Sequence, residues 1–337
     1  MDFRPEYLGR MRADPVSRPS ALASLVPRFL RPGIKRLIGY ERAMQRRSFA
    51  AREQQGLKRH PRLLTEKIVY KMAYDRRPIL STFADKVAVR DYVASRVGPE
   101  ALVRVITIVD SAEEIDWAAL PEQYVAKATH GSGGNVIVAR AADARARLPQ
   151  TPIPGRWGSH LVRREHADPA RMMAVFAEWL SLDYADVHDD PVREWCYDAV
   201  PRRVLVEDYL EDGSGNPPPD FKLFMLNGRC RYIQFDTNRA RDHHRDTMTP
   251  DWEPIAVEFG YPRSAVPLPR PENLPRMIEI AEALADGIDF VRVDLYSVDG
   301  RVVVGELTNY PEAGRVRFRP QSFDRKMGRL LTLADYR

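Results

Sequence analysis

Apolar residues recur at three- and four-residue spacing in "TEKIVYKMAYDRRPIL" (65–80) and in "ADKVAVRDYVASRVG" (84–98), which predicts two helices, the second closed by Gly98. The period then falls to two. "ALVRVITIVDS" is short and β-branched, a buried strand, and "YVAKAT" and "GNVIVAR" predict two more strands around a glycine-rich turn. Residues 141–155 lose periodicity and gain proline, which reads as a linker, and "ARMMAVFAEWLSLDYAD" returns to helical spacing. "RRVLVEDYLED" is a strand that ends in acids, and "GSGNPPPD" is too proline-rich for a regular element.

Two hairpins follow. "DFKLFMLNGRCRYIQFDTNR" turns at Asn227–Gly228, and "DFVRVDLYSVDGRVVVGELTNY" turns at Asp299–Gly300. Between them "PENLPRMIEIAEALADG" is a helix with proline at its start and Gly287 at its end. Antiparallel hairpins with interspersed helices make the chain α+β, or mixed α/β, and not an alternating βαβ series.

With 337 residues the chain should hold more than one lobe. No run of about 18 apolar residues is present to span a bilayer, and the N-terminus has charge and proline where a signal peptide needs an apolar core. Two cysteines, Cys196 and Cys230, give no disulfide framework, so a reducing cytoplasm is expected. The net charge of +5 is unevenly placed: residues 1–55 hold 12 Lys/Arg against 5 Asp/Glu, a net of +7, and the remainder sums to −2. The body is not basic, which argues against a nucleic-acid partner. The basic segment has helical spacing and suits either a solvated helix on the body or peripheral contact with an anionic membrane face or acidic partner.

Three glycines crowd "YVAKATHGSGGNVIVAR", and the lysine precedes them, so this is neither a Walker loop nor a dinucleotide fingerprint opening a helix. Strand, loop, strand remains, with Lys127 in the first strand and Gly131, Ser132, Gly133 and Gly134 at the tip. Backbone N–H groups there can approach phosphate oxygens; a glycine hairpin with an incidental lysine reads the same way. His130 either donates to a phosphate or caps the turn.

In the last hairpin Arg292 and Asp294 share a face of one strand, and Glu306 and Thr308 share a face of the next. A three-residue loop, Val298–Gly300, would set Arg292 opposite Glu306 and Asp294 opposite Val304, with all four polar residues on one side; a two-residue turn would send Glu306 to the apolar side. The apolar alternation favours the first register. Two carboxylates beside an arginine suit Mg²⁺ shared with phosphate oxygens, or equally a solvent-facing ion-pair ladder. The loop "DTNRARDHHRDTMTPDWEP" holds Arg239, His243 and Arg245, and "EAGRVRFRP" holds Gly314 and Arg315; both read as basic surfaces for an anionic substrate, or as solvated basic edges.

In this order "PRLLTEKIVY", "ADKVAVRDYV", "LPEQYVAKATHGSGGNVIV", "RRVLVEDYL", "DFKLFMLNGRCRYIQFDTNR" and "FVRVDLYSVDGRVVVGELT" resemble the ATP-grasp superfamily and, within it, the TupA-like group of teichuronopeptide biosynthesis. The resemblance covers Gly56 to the end. It implies nucleotide held between two α+β lobes behind the basic arm: 1–55 the arm, 56–120 an N-terminal α/β lobe, 121–206 a small lobe with the glycine loop, and 207–337 a C-terminal lobe with the Mg²⁺ and ATP site.

Residue by residue, it implies Lys86 and Lys127 on the nucleotide phosphates and the glycine loop closing over them. Glu207, Asp208, Tyr209 and Leu210 become the strand whose backbone holds the adenine edge, and Lys222 lines the phosphate channel. Asp294 and Glu306 hold Mg²⁺, and Arg292 steadies the transferring phosphoryl group. Thr308 stands where the family has asparagine, with Asn309 one step later on the other face. The activity implied is Mg²⁺–ATP-dependent joining of a carboxylate to an amine through an acyl phosphate, on small-molecule, glycan or peptide substrates of cell-surface polymers. A kinase on the same site, a non-catalytic ATP-binding scaffold and a polyanion-binding protein are the competing expectations.

Overall fold

The computed structural model describes residues 60–187, 193–213, 215, 217–237, 243–266 and 268–336, so the basic arm expected over 1–55 lies outside the described residues. Helical spacing over 65–80 gives two helices where one was expected, α1 (Leu64–Tyr74) and α2 (Ile79–Ala84). The chain breaks at Asp75 because Pro78 cannot continue a helix, and the Asp75 carboxylate accepts the backbone N–H of Arg77 at 3.0 Å. Next comes α3 (Ala88–Val97), ended by Gly98 at φ 91°.

Strands β1 (Val105–Val109), β2 (Tyr124–Ala128) and β3 (Asn135–Val138) form where alternation placed them, and β4 (Ser159–Val162) is a short strand that the sequence did not announce. Helices α4 (Pro169–Ser181), capped by Asp168 on the Arg171 N–H, and α5 (Tyr184–Val187) precede β5 (Val204–Asp208). The first sheet runs β1-β5-β2-β3-β4, antiparallel except for β3–β4. One face, with Tyr124, Ala126, Val136 and Val206, packs on Phe176 and Trp179 of α4. β1 is not the buried strand expected: it sits at the sheet edge, pairs only with β5, and leaves Ile108 37% exposed.

The second sheet is built from β6 (Asp220–Leu226), β7 (Arg229–Thr237), β8 (His244–Met248), β9 (Phe290–Val298) and β10 (Arg301–Thr308) in the order β10-β9-β6-β7-β8. α6 (Leu274–Leu284) lies between β8 and β9 in sequence, and α7 (Gln321–Leu330) follows β10. Leu223, Met225, Ile233, Val291 and Val293 pack on Met277, Ile280 and Leu284 of α6. The opposite face is divided: Phe224, Leu226, Tyr232 and Phe290 are buried with Leu64, Ile68, Phe323 and Met327 of α1 and α7, whereas its other end is polar. Segment 56–120 is shared between the sheets, since α2 packs on β10 and α3 on α6 while β1 joins the first sheet. The architecture is mixed α+β.

The last hairpin departs from expectation in its turn. Asp299 and Gly300, at φ 50° and 75°, form a two-residue turn that pairs Val298 with Arg301. That phase would carry Glu306 to the apolar side, but a bulge between Val304 and Glu306 adds Gly305 to β10 and resets it, so that Glu306 lies opposite Asp294 and Thr308 opposite Arg292. All four residues still share one face.

No helix among the described residues is long and apolar enough to cross a membrane. Cys196 and Cys230 are buried free thiols in separate cores.

Candidate functional site

Alternation on β2 sends Tyr124, Ala126 and Ala128 into the core and leaves Lys127 on the other face. There Lys127 pairs directly with Glu207, its diagonal neighbour on β5, and Arg90 of α3 reaches the second Glu207 oxygen at 3.6 Å. Lys86, in the turn between α2 and α3, donates its ammonium to the Gly131 carbonyl and its backbone N–H to the Thr129 carbonyl. Burial pushes the Lys86 pKa down to about 8, while Glu306 of the second sheet and Glu207 of the first both act to hold its charge. The two sheets therefore act electrostatically on one ammonium.

In the loop joining β2 to β3 the carbonyls are occupied. Gly131 accepts from Lys86, Ser132 from the Trp157 indole at 2.6 Å, Gly133 from Ser159 at 2.5 Å, and Gly134 from the Ala128 N–H at 2.8 Å. Among the described residues nothing accepts from the N–H groups of Gly131, Gly133 or Gly134. Such a loop presents donors and hides acceptors, as anion cradles do. The His130 Nε2 lies 3.3 Å from the Leu182 carbonyl, outside the turn, its ring meets Trp157 edge-on, and burial lowers its pKa to about 4, so it is neutral near pH 7.

On the second sheet a polar row crosses all five strands. Glu306 (β10), Asp294 (β9), Lys222 (β6), Gln234 (β7) and Thr247 (β8) are successive cross-strand partners. Asp294 accepts from Arg292 through Nε to Oδ1 at 2.6 Å and Nη2 to Oδ2 at 2.7 Å, and from Lys222 at 2.7 Å. Burial alone would raise the Asp294 pKa; Arg292 and Lys222 outweigh it and hold the carboxyl below its ordinary value. Asp220, two residues before Lys222, holds the other side of that ammonium.

The donor set suits a hard cation. Among the described residues Asp294 Oδ1 takes a single hydrogen bond, and the exposed Glu306 accepts only from the Thr308 hydroxyl, at 3.1 Å, so both carboxylates keep acceptor capacity. No group of three or more His, Cys, Asp or Glu side chains with metal-holding geometry occurs among the described residues. Thr308 bridges, accepting from Arg292 at 2.9 Å while donating to Glu306. Asn309 is buried on the other side, donating to the Leu80 carbonyl.

The profile of the TupA-like ATPgrasp family matches residues 66–146 and 158–332, about three quarters of the chain. The chain belongs to the TupA-like ATP-grasp family. Comparison with curated proteins gives no match. Among solved structures it is similar to D-alanine–D-alanine ligase from Bacillus anthracis complexed with ATP (12% identity, 68% of this chain and 55% of that one, TM-score 0.36). It is also similar to the ATP-grasp ligase PsnB complexed with its minimal precursor (12%, 69% and 53%, 0.32) and to phosphoribosylamine–glycine ligase from Thermotoga maritima (14%, 70% and 49%, 0.38). The chain spans about half the length of these structures.

The remaining expected site residues of this ATP-grasp chain fall in different places. Asp208 forms a two-bond pair with Arg104 at 2.7 and 2.8 Å on the outer side, so its side chain is committed. Tyr209 and Leu210 follow the end of β5, in the stretch that links the two sheets. Arg239 lies outside the described residues. "DTNRARDHHRDTMTPDWEP" is not all loop: it contains β8, where Arg245 pairs with Asp236 at 2.7 Å and stacks on Phe259 and Tyr261. His243 is 3.3 Å from Asp236 and lies against Tyr261. Gly314 lines a cavity of about 20 Å³ bounded also by Arg292 and Gln234, and a Cβ there would meet Val69 at 2.7 Å; Arg315 is exposed. Sequence reasoning missed Arg90, Asp220, Gln234 and Trp157. Asp220 was legible as the same-face neighbour of Lys222; the others come from distant elements.

Proposed function

We propose that the protein is a Mg²⁺–ATP-dependent carboxylate–amine ligase acting on an acceptor of cell-surface polymer synthesis. The observation that carries the reading is the pair of opposed groups. Lys86, Lys127 and the glycine loop form a phosphate-binding side, and Lys222, Arg292, Asp294 and Glu306 form a cation and phosphoryl side, with Lys86 under the influence of both. Family membership supports the same reading.

Bound Mg²⁺–ATP would supply the phosphoryl group that activates a substrate carboxylate for attack by an amine, with ADP and phosphate released. Lys86 and Lys127 would hold the terminal phosphates by charge, and the unbonded loop amides would add donors without charge. Asp294 and Glu306 would hold the cation, one from each strand of the hairpin. Arg292, fixed by Asp294 and Thr308, would offer its guanidinium to developing negative charge at no cost in reorganisation. Catalysis here would be positioning and electrostatics, with no covalent step on the protein.

Thermal unfolding of wild type and Lys127→Ala with and without Mg²⁺–ATP tests the nucleotide site. A ligand at a hundred times its dissociation constant stabilises the fold by about 2.7 kcal/mol. A rise in wild type that is lost in a folded Lys127→Ala supports the reading, and no rise in folded wild type sinks it. Hydroxylamine trapping of an activated carboxylate then separates a ligase from a kinase acting on a hydroxyl.

A further inference from the structure

Three side chains from two segments fix the carbonyls of the glycine loop: Lys86 on Gly131, and Trp157 and Ser159, two residues apart, on Ser132 and Gly133. Trp157 does more than donate one hydrogen bond. A Cβ on Gly134 would meet its ring at 2.5 Å, and one on Gly131 would meet that ring at 2.6 Å and Tyr184 at 2.4 Å. The indole therefore occupies the space that side chains at both glycines would need. Its own position is set by Tyr184 of α5 at 5.2 Å between ring centroids, Trp179 of α4 at 5.7 Å and His130 at 5.1 Å. Without the ring, Gly131 and Gly134 would sit beside a void, with Gly133 between them, and glycine gains more backbone freedom than any other residue when released. Trp157 lies in the break between the two ranges matched by the family profile.

We infer that Trp157 is the latch of the glycine loop: it holds the loop in the conformation that leaves the Gly131, Gly133 and Gly134 N–H groups free for the terminal phosphates of a nucleoside triphosphate. It is a positioning residue that acts through the loop, and the inference rests on the nucleotide reading above.

The test compares wild type, Trp157→Phe and Ser159→Ala by calorimetric binding of a non-hydrolysable ATP analogue with Mg²⁺ and, separately, of AMP. Phenylalanine keeps a ring against the glycines but removes the N–H, so the fold should persist; Ser159→Ala removes one loop bond without touching the ring. A lost neutral hydrogen bond corresponds to about three- to tenfold in affinity. Trp157→Phe should weaken the triphosphate by that factor and leave AMP unchanged, with Ser159→Ala in the same direction. In ligand-free Trp157→Phe the amides of Ala128 and Asn135, which donate to the Gly134 and Gly133 carbonyls, should exchange hydrogen faster. Equal weakening of AMP and triphosphate, or wild-type triphosphate affinity with unchanged exchange, overturns the latch alone. Absence of triphosphate binding in wild type overturns the functional reading and the latch with it.

Discussion

Glu306 lies directly across its hairpin from Asp294, although the two-residue turn that joins their strands would by itself have put them on opposite faces. Gly305 is the residue that restores the pairing. A Cβ there would meet the Tyr296 ring at 2.7 Å and the Asp294 carbonyl at 3.4 Å. Gly305→Ala should therefore destabilise by about 1–3 kcal/mol, the usual cost of an overpacked contact, and should weaken Mg²⁺ dependence through the displaced Glu306. Urea unfolding and a Mg²⁺ titration of nucleotide binding check the two halves.

Asp294 and Glu306 should respond to mutation in opposite ways. Asp294 is 4% exposed between Arg292 and Lys222, so Asp294→Asn leaves two cations facing a neutral amide and should cost about 3–5 kcal/mol. Glu306 is exposed, and Glu306→Gln should change stability by no more than about 0.5 kcal/mol while abolishing Mg²⁺-supported nucleotide binding. A stability loss in Glu306→Gln comparable to that in Asp294→Asn would contradict the view that both carboxylates hold the cation and only Asp294 also holds its neighbouring cationic side chains.

Lys86 gives a pH dependence whose sign differs for stability and for binding. Its pKa falls to about 8 in the fold from an ordinary 10.5. Between those values the unfolded chain holds the proton that the folded chain has lost, so this residue makes the protein more stable as pH rises through that window. Binding requires the charge, so Mg²⁺–ATP affinity should fall as pH rises through about 8, and binding above that pH should take up protons. Calorimetry in two buffers of different ionisation enthalpy measures the uptake; Lys86→Met should remove both the uptake and the affinity step.

On α1, Lys71 is fully buried between Asp75 at 2.6 Å and Asp289 at 2.7 Å, and Tyr336 donates to Asp289 from the C-terminal segment. Lys71→Met should cost about 3–5 kcal/mol by removing the fully buried cation between the two carboxylates and leaving their charge to the half-exposed Arg77. Burial opposes the Asp289 charge, but Lys71, Tyr336 and Arg77 prevail and hold its pKa well below the usual carboxylate range. Its contribution is therefore present above about pH 4 and lost as pH falls further. Asp289→Asn should flatten the acid limb of a stability–pH curve measured by urea unfolding.

Much of this was local and therefore legible. Asn227–Gly228 announced its hairpin because two positive-φ positions favour that pair, and alternation on β2 put Lys127 off the core without any knowledge of its partner. The polar identity of Arg292, Asp294, Glu306 and Thr308 was likewise a matter of period two. Their register was not, because a single inserted glycine on β10 reverses every face after it, and whether Gly305 bulges depends on the Tyr296 ring and the core behind Val304 and Leu307. β4 was missed because four residues at a sheet edge carry too little alternation to register. Trp157 could not be found at all, since its contacts run to residues 25, 22 and 27 positions away: Ser132, Trp179 and Tyr184. The sequence by itself determined which residues are apolar, which turns are tight and which side of each strand is polar. Only the tertiary structure decided which polar sides meet, because pairing across strands and between sheets is set by packing at long sequence separation.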